Sequence, residues 1–335
     1  MGISTKKTGK KKKVKFSSKD EMRPHSEAKV ALYGKYLEKY LAILGVIDFI
    51  SKINIFDVFC GTGLYANGKY GSPIVAYNAI LKTASFLNSP PYNRPPKPTS
   101  LIINDGNTNS ITKVSQYLTI LNQQNPCCDL SFHNLDATVM LEVISAQINM
   151  QVSTERNIIF IDPTGYKEIH KEDMHNLLKS KKSEVVLFLP VSSMYRFKDI
   201  VQSDFDNPSY VQLRRFLHEF FHEGHPIRQD ENAMNVFDFM SHLKDAFRFD
   251  NNYFSTSFFL KRDSRNYYAL FFITSNILGL ERIIDAKWEI DKISGKGCVY
   301  EDDISDRQLE IFPTISASAL AKDFTDLKQL LYNYI

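Results

Sequence analysis

Apolar and polar positions alternate with two different periods along this chain. From Ser26 to Leu44, the residues Val30, Tyr33, Leu37, Tyr40, Leu41 and Leu44 recur at helical spacing, and Gly45 ends the run. This predicts an amphipathic helix with its tyrosines in the core and Lys29, Lys35 and Lys39 on other faces. Short β-type runs follow at Asn54–Phe59, Ser100–Asn104, Asp129–His133, Asn157–Ile161 and Glu184–Pro190. Between them, Pro73–Phe86, Asn109–Asn122, Ala137–Val152 and Lys171–Lys181 carry helical character. Strands alternating with helices predict a parallel sheet covered on both faces. The proline-studded stretch Asn88–Thr99 reads as an exposed loop.

The alternation breaks at Ser203–Asn252, where two helical patterns follow one another, Tyr210–Glu223 and Asn232–Phe247. Two β runs come next, Tyr253–Lys261 and Tyr267–Thr274, separated only by Arg262–Asn266. A gap that short forces an antiparallel hairpin, because a parallel return needs a dozen residues or more. The expected layout is therefore a tail over 1–20 and the first part of an α/β domain over 21–202. A helical insertion covers 203–252, a closing hairpin and helix 253–295, and a helical tail 296–335.

Charge changes the picture at one end. The net charge is +3, yet Lys6, Lys7, Lys10, Lys11, Lys12, Lys13 and Lys15 precede the first acid, Asp20; without them the remainder carries −4. Such a block self-repels and is expected to stay disordered, either as a solubilising tail or as an arm for nucleic acid phosphates. No apolar run reaches the ~20 residues that span a bilayer, and the lysines lack a following apolar stretch, so neither membrane insertion nor secretion is expected. Cys60, Cys127, Cys128 and Cys298 form no CxxC framework, which fits free thiols in a reducing, cytoplasmic setting.

The candidate chemistry begins at Asp57-Val58-Phe59-Cys60-Gly61-Thr62-Gly63, a buried strand running into a glycine turn before a helix. Gly61 and Gly63 allow the backbone to bend sharply and approach a ligand, and Asp57 stands where a carboxylate orients the amino-acid end of S-adenosylmethionine (SAM). Together with Phe59, these residues resemble the first motif of class I methyltransferases. Tyr65 stands where a dinucleotide fingerprint has its third glycine. Asp105, or Asn104 beside it, is placed to accept from a ribose diol, and Asp136 to receive an adenine amino group; both acids are equally suited to capping helices. The fourth strand ends in Asp162-Pro163-Thr164-Gly165-Tyr166. This is similar to the D/N-P-P-Y/F of nucleic-acid amino-methyltransferases, where the acid and proline carbonyl accept from an exocyclic amine and the aromatic stacks on the base. Here Thr164-Gly165 replaces the second proline and moves Tyr166 one place along. With the strand count, the motifs imply a Rossmann-like sheet of seven strands, the last antiparallel.

The chain also resembles the three-Cys-motif partner (TcmP) family. The matching pieces are His25-Ser26-x-x-Lys29, Asp57-x-Phe59-x-Gly61-x-Gly63, Gly68-x-x-Gly71-Ser72-Pro73 and Asp162-Pro163-x-Gly165. Tyr267-Tyr268-Ala269-Leu270, Gly279-Leu280-Glu281 and Ala286-Lys287-Trp288-Glu289-Ile290-Asp291 extend them to the end of the resemblance. It implies a methyltransferase-like fold binding SAM and a radical-SAM-like three-cysteine protein as partner. The expectation is a SAM-dependent methyltransferase acting on an amino group in nucleic acid, with Asp162, Pro163 and Tyr166 presenting the acceptor. A non-catalytic partner protein with the same pocket is the alternative. A remote third reading comes from His218-Glu219-Phe220-Phe221-His222, which spells HExxH; on one helix face it would hold zinc for a metallopeptidase. The same segment carries a Leu213, Phe216, Leu217, Phe220 core stripe, and no third ligand is defined, so no metal is expected.

Overall fold

A computed structural model describes residues 21–203, 207–229, 234–249, 251–263, 266–292 and 295–299. The lysine-rich segment 1–20 and the expected tail beyond 299 lie outside the described residues.

The first five strands are β1 (Lys52–Asp57), β2 (Thr99–Asn104), β3 (Asp129–His133), β4 (Glu155–Ile161) and β5 (Ser183–Leu189). They pair in parallel in the order β3-β2-β1-β4-β5. The hairpin β6 (Phe254–Lys261) and β7 (Tyr267–Thr274) closes the sheet, with β7 antiparallel to both β5 and β6. The order β3-β2-β1-β4-β5-β7-β6 with β7 reversed is that of the Rossmann-like class I methyltransferase fold. One strand exceeds the expected seven: β8 (Gly297–Val299) adds three residues in parallel outside β6. It was hidden from periodicity because three residues are too few to show one.

Helices α1 (Pro24–Val46), α2 (Ser72–Leu87), α3 (Thr108–Gln124) and α9 (Ile277–Ile290) cover one face of the sheet; α4 (Ala137–Met150), α5 (Lys171–Leu178), α6 (Val191–Ser203), α7 (Val211–Phe220) and α8 (Val236–Ala246) cover the other. The segment expected as an insertion begins earlier, with α6. Phe216, Leu217, Phe239, Leu243 and Phe247 from this layer are fully buried in the same core as β4 and β5. The layer is therefore part of the domain core.

α1 lies antiparallel over β4, and its tyrosines set the register. Tyr40 donates to the Asn157 carbonyl (3.2 Å), and Tyr33 stacks on Phe160 (4.2 Å between centroids). Lys29 reaches Asp162, just past the strand end. Eleven helical residues rise about 16.5 Å, and five strand residues extend about 16.5 Å. The match places the start of α1 over the carboxyl end of the sheet.

At the opposite edge, Glu184 is a buried carboxyl that accepts hydrogen bonds from Tyr36 and from Thr274 (2.9 Å). Burial pushes its pKa up to about 8, against the lesser opposing effect of the Thr274 hydrogen bond. The folded chain thus holds a proton that the unfolded chain releases near the ordinary 4.5. Its contribution to stability is greatest below that value and is lost as pH rises toward about 8. Glu184→Gln is expected to flatten the stability profile across this window, measured by urea denaturation at stepped pH; an unchanged slope would contradict the assignment.

Candidate functional site

β1 delivers Asp57 at its last residue, and the chain beyond it is pinned by its neighbours. Val58 N–H donates to the Phe160 carbonyl and Cys60 N–H to the Asn104 carbonyl (both 3.0 Å). Gly61 N–H donates to Asp105 Oδ2 (2.8 Å). Gly61 and Gly63 have φ of +58° and +68°, in the left-handed region that suits glycine. The helix does not follow directly. Leu64–Tyr70 form a small flap closed by an antiparallel bridge, and α2 starts at Ser72. The Gly71 N–H bonds the Gly63 carbonyl and closes the neck of the flap, returning the start of α2 to the glycine turn.

Asp57 is fully buried, and neither carboxylate oxygen has a hydrogen-bond partner. Burial pushes its pKa up to about 7; Ser72 at the start of α2 pulls it down, Asp162 and Asp105 push it up, and Lys29 pulls it down. Although Ser72 faces the carboxylate, the oxygens remain unpaired in the hydrogen-bond geometry. Such a group costs stability unless something cationic or hydrogen-bonding completes it. A side chain built on Gly61 would meet nothing within 4 Å, so the turn borders open space. An orphaned acid beside an open glycine turn fits the ammonium end of SAM.

The other expected cofactor residues all stand at the carboxyl ends of β1, β2 and β3, with visible structural duties. Asp105 clamps the glycine turn and also accepts from Asn107 N–H (2.8 Å). Asn104 is spent on the backbone: its amide nitrogen donates to the Val58 and Leu135 carbonyls and its oxygen accepts from Leu135 N–H. Its side-chain oxygen and nitrogen therefore already have partners, which makes Asn104 a poor ribose ligand. Asp136 caps α4 through Thr138 N–H (2.9 Å) and is otherwise exposed. Phe59 is half-buried against the α4–α8 side of the core.

Past β4, Asp162 is joined to Lys29 of α1 in an ion pair, and the Lys29 ammonium lies 4.3 Å from the centroid of Phe188. The helical period puts Lys29 on a face other than that of the core tyrosines, yet it is buried. The helical period alone could not reveal this, because its partner belongs to β4. One turn earlier, His25 stacks on Tyr268 (5.0 Å, 6°), and Tyr268 stacks on Phe188 (5.2 Å, 10°). Burial, reinforced by Lys29 and neighbouring arginines, lowers the His25 pKa to about 4, so its ring is neutral near pH 7. Tyr65, on the flap, is half-buried and faces both Asp162 and Asp57; burial first and these two acids second raise its pKa.

Pro163 is buried directly after Asp162, while Tyr166 departs from its expected place. Its ring packs against Phe216 of α7 (6.3 Å), on the sheet face opposite Lys29. The loop that carries it is held by Arg215, whose guanidinium donates to the carbonyls of Tyr166, Lys167 and Ile169 (3.3, 2.8 and 3.2 Å). Arg215 was invisible as a site residue because it lies in another element, 49 positions from Tyr166.

The HExxH geometry is not realised. α7 ends at Phe220, and Phe221 is extended (φ −125°, ψ 132°), so His222 leaves the helical face of His218. Glu219 instead caps α5 through Lys171 N–H (3.0 Å) and faces His170. Among the described residues no cluster of three His, Cys, Asp or Glu side chains is arranged to hold a metal. A groove of about 710 Å³ opens beside this network, lined by Thr138, His170, Lys171, Glu219 and Phe249, next to the Asp162–His170 loop.

No family model matches the sequence, and no curated protein does. Among solved structures, the chain is similar to Trm1 from Pyrococcus horikoshii in complex with S-adenosyl-L-methionine (12% identity, 77% of this chain, 58% of that chain, TM-score 0.38). It is also similar to spermidine synthase from Thermotoga maritima (12%, 75% and 62%, TM-score 0.35). A third similar structure is magnesium protoporphyrin IX methyltransferase from Synechocystis PCC 6803 with bound SAH (9%, 79% and 90%, TM-score 0.33). The matches span about six tenths of the first two chains. With all three scores below 0.5, strand order and direction carry the fold assignment. No described helix is long and apolar enough to cross a membrane.

Proposed function

We propose that this chain is a SAM-dependent methyltransferase whose cofactor lies over the Gly61–Gly63 turn. The observation that carries the reading is Asp57: a buried carboxylate without a partner, at the strand tip where this fold binds its ligand. Asp57 meets the ammonium end, Asp105 is at hand for the ribose and Asp136 for the adenine edge, while Gly61, Gly63 and Phe59 leave room and shape the walls. When bound, the cofactor supplies an electrophilic methyl on its sulfonium; the protein supplies orientation and electrostatics.

The acceptor we propose is an amino group in nucleic acid. The support is the Asp162-Pro163 turn at the end of β4, where an ionised carboxylate and a proline carbonyl can accept from an uncharged amine and leave its lone pair free for attack. Tyr166 would serve as a stacking partner only after leaving Phe216, so the aromatic wall of His25, Tyr268 and Phe188 is the readier neighbour of Asp162. The packed Tyr166 and the Lys29-bound Asp162 also favour a second reading, a non-catalytic partner protein that keeps the pocket. TcmP-like pairing with a three-cysteine protein would suit either reading.

Isothermal calorimetry with S-adenosylhomocysteine (SAH) is expected to show one site, abolished in Gly61→Arg; no heat at millimolar ligand would remove the cofactor reading. Transfer of labelled methyl to DNA or RNA, lost in Asp162→Ala, would separate enzyme from pocket-bearing partner. SAH binding without transfer to either polymer would favour the partner.

A further inference from the structure

The site contains a buried cation that the expected chemistry leaves without a task. Lys29 has a side chain 9% exposed, on the first turns of a helix whose neighbouring positions are aromatic or aliphatic. Burying an ammonium is costly unless it is paired, and its partners here are Asp162 and the face of Phe188. The start of α1 is itself anchored. His25 rests on Tyr268, the Met22 carbonyl accepts from the Asn67 side chain on the flap (3.2 Å), and Glu27 pairs with Lys69 of the flap (2.6 Å). The ammonium is thus held at one place between α1, the flap and the ends of β4 and β5.

That place overlooks a cluster of acids. Around Asp57 stand Asp162 at the end of β4, Asp105 at the end of β2, Tyr65 on the flap, Ser72 on α2, Cys60 in the turn, and Tyr33 and Lys29 on α1. Lys29 is the cation in this set. The parallel register pairs Asp57 with Phe160, so Asp57 and Asp162 stand at the ends of neighbouring strands, and two carboxylates placed in that way cannot both be charged cheaply without a counter-ion.

We propose that Lys29 is a positioning residue of this site: held between Asp162 and Phe188, it supplies the counter-charge for the Asp57 and Asp162 carboxylates and so sets the charge that the niche offers a ligand. The Lys29–Asp162 pair is neutral as a unit. It offers carboxylate lone pairs to an uncharged amine without the net charge that would draw in an alkylammonium, which has no lone pair to give. Asp57 is left as the anionic end, for a cationic group. The link from Lys29 to ligand binding rests on the cofactor reading above; its effect on Asp57 does not.

The test titrates the Asp57 carboxyl by carbon-13 NMR in the full chain labelled at aspartate, without ligand, the resonance being identified by its loss in Asp57→Asn. In the wild type its midpoint lies near the expected value of about 7. Lys29→Arg, which keeps the charge, should leave the midpoint in place, whereas Lys29→Met should move it upward by about half a unit or more, the scale of one nearby charge. If Lys29→Met does not fold, Lys29→Gln keeps a donor for Asp162 and reads the same shift. A folded charge-removing variant with an unmoved midpoint overturns the proposal. The pH at which SAH binding is half-maximal should move upward in the same variants. A wild-type chain that binds no SAH removes the cofactor reading and leaves the titration to decide Lys29.

Discussion

Gly63→Ala is expected to destabilise the chain by about 2–5 kcal/mol, while Gly61→Ala, two residues away, folds and binds its ligand at least tenfold more weakly. Both glycines are left-handed, so each alanine carries about 1–2 kcal/mol of backbone strain. The surroundings separate them. A Cβ on Gly63 would lie 2.7 Å from Val114 Cγ2 and 3.6 Å from Ile74 Cδ1. Val114 and Ile74 are buried on α3 and α2, and Val114 is β-branched, so the clash cannot be relieved by a swing of a free side-chain end. Overpacking of this kind adds about 1–3 kcal/mol, a large part of the 5–15 kcal/mol typical of a domain. At Gly61 the added methyl meets nothing and projects into open space. Urea denaturation should show Gly63→Ala well below the wild type and Gly61→Ala lowered only by the backbone strain of about 1–2 kcal/mol. SAH calorimetry should show Gly61→Ala weakened at least tenfold. If Gly61→Ala binds as the wild type does, the open space over the turn is not ligand space, and the placement of the cofactor is wrong.

The same residues show why the sheet could be read from the chain and the site only in outline. β3 and β7 have the bounds that alternation predicts, and β1, β2, β4, β5 and β6 differ by a few residues, because hydrophobic runs bounded by polar turns are local signals. The glycine turn and Asp57 were legible for the same reason: strand, acid and glycines lie within nine consecutive positions. What holds Asp162 was not local. Lys29 lies 133 residues from it, and the two meet because the rise of α1 and the pitch of β4 bring them level. Tyr166 was misplaced because a motif gives no warning of Phe216, which is supplied by a helix fifty positions on. The HExxH spelling failed through helix length: the periodic stripe continues to Phe220, but the backbone extends at Phe221.

Asp57→Asn is expected to raise the melting temperature above pH 7 and, in the same molecule, to remove most of the ligand affinity. The wild-type carboxylate is fully buried with unpaired oxygens, and its pKa of about 7 records what ionising it there costs. Because the folded value lies above the ordinary 3.8, its contribution to stability falls as pH rises between the two, and a neutral amide of the same shape escapes that loss. Ligand binding runs the other way. A cationic group prefers the carboxylate, so affinity should increase with pH up to about 7 and level off above it. At pH 5.5 it should be about 30-fold below the plateau, from 1.5 units of titration. In Asp57→Asn the pH dependence should disappear and affinity at pH 8 should fall by about 30-fold or more, the usual scale for losing one side of a buried charged contact. Calorimetry with SAH between pH 5.5 and 8.5, alongside thermal denaturation of both proteins, reads both effects. A variant that is less stable yet binds normally would mean that Asp57 serves the fold. A variant that is more stable and does not bind would identify the orphaned acid as a cost retained for a ligand.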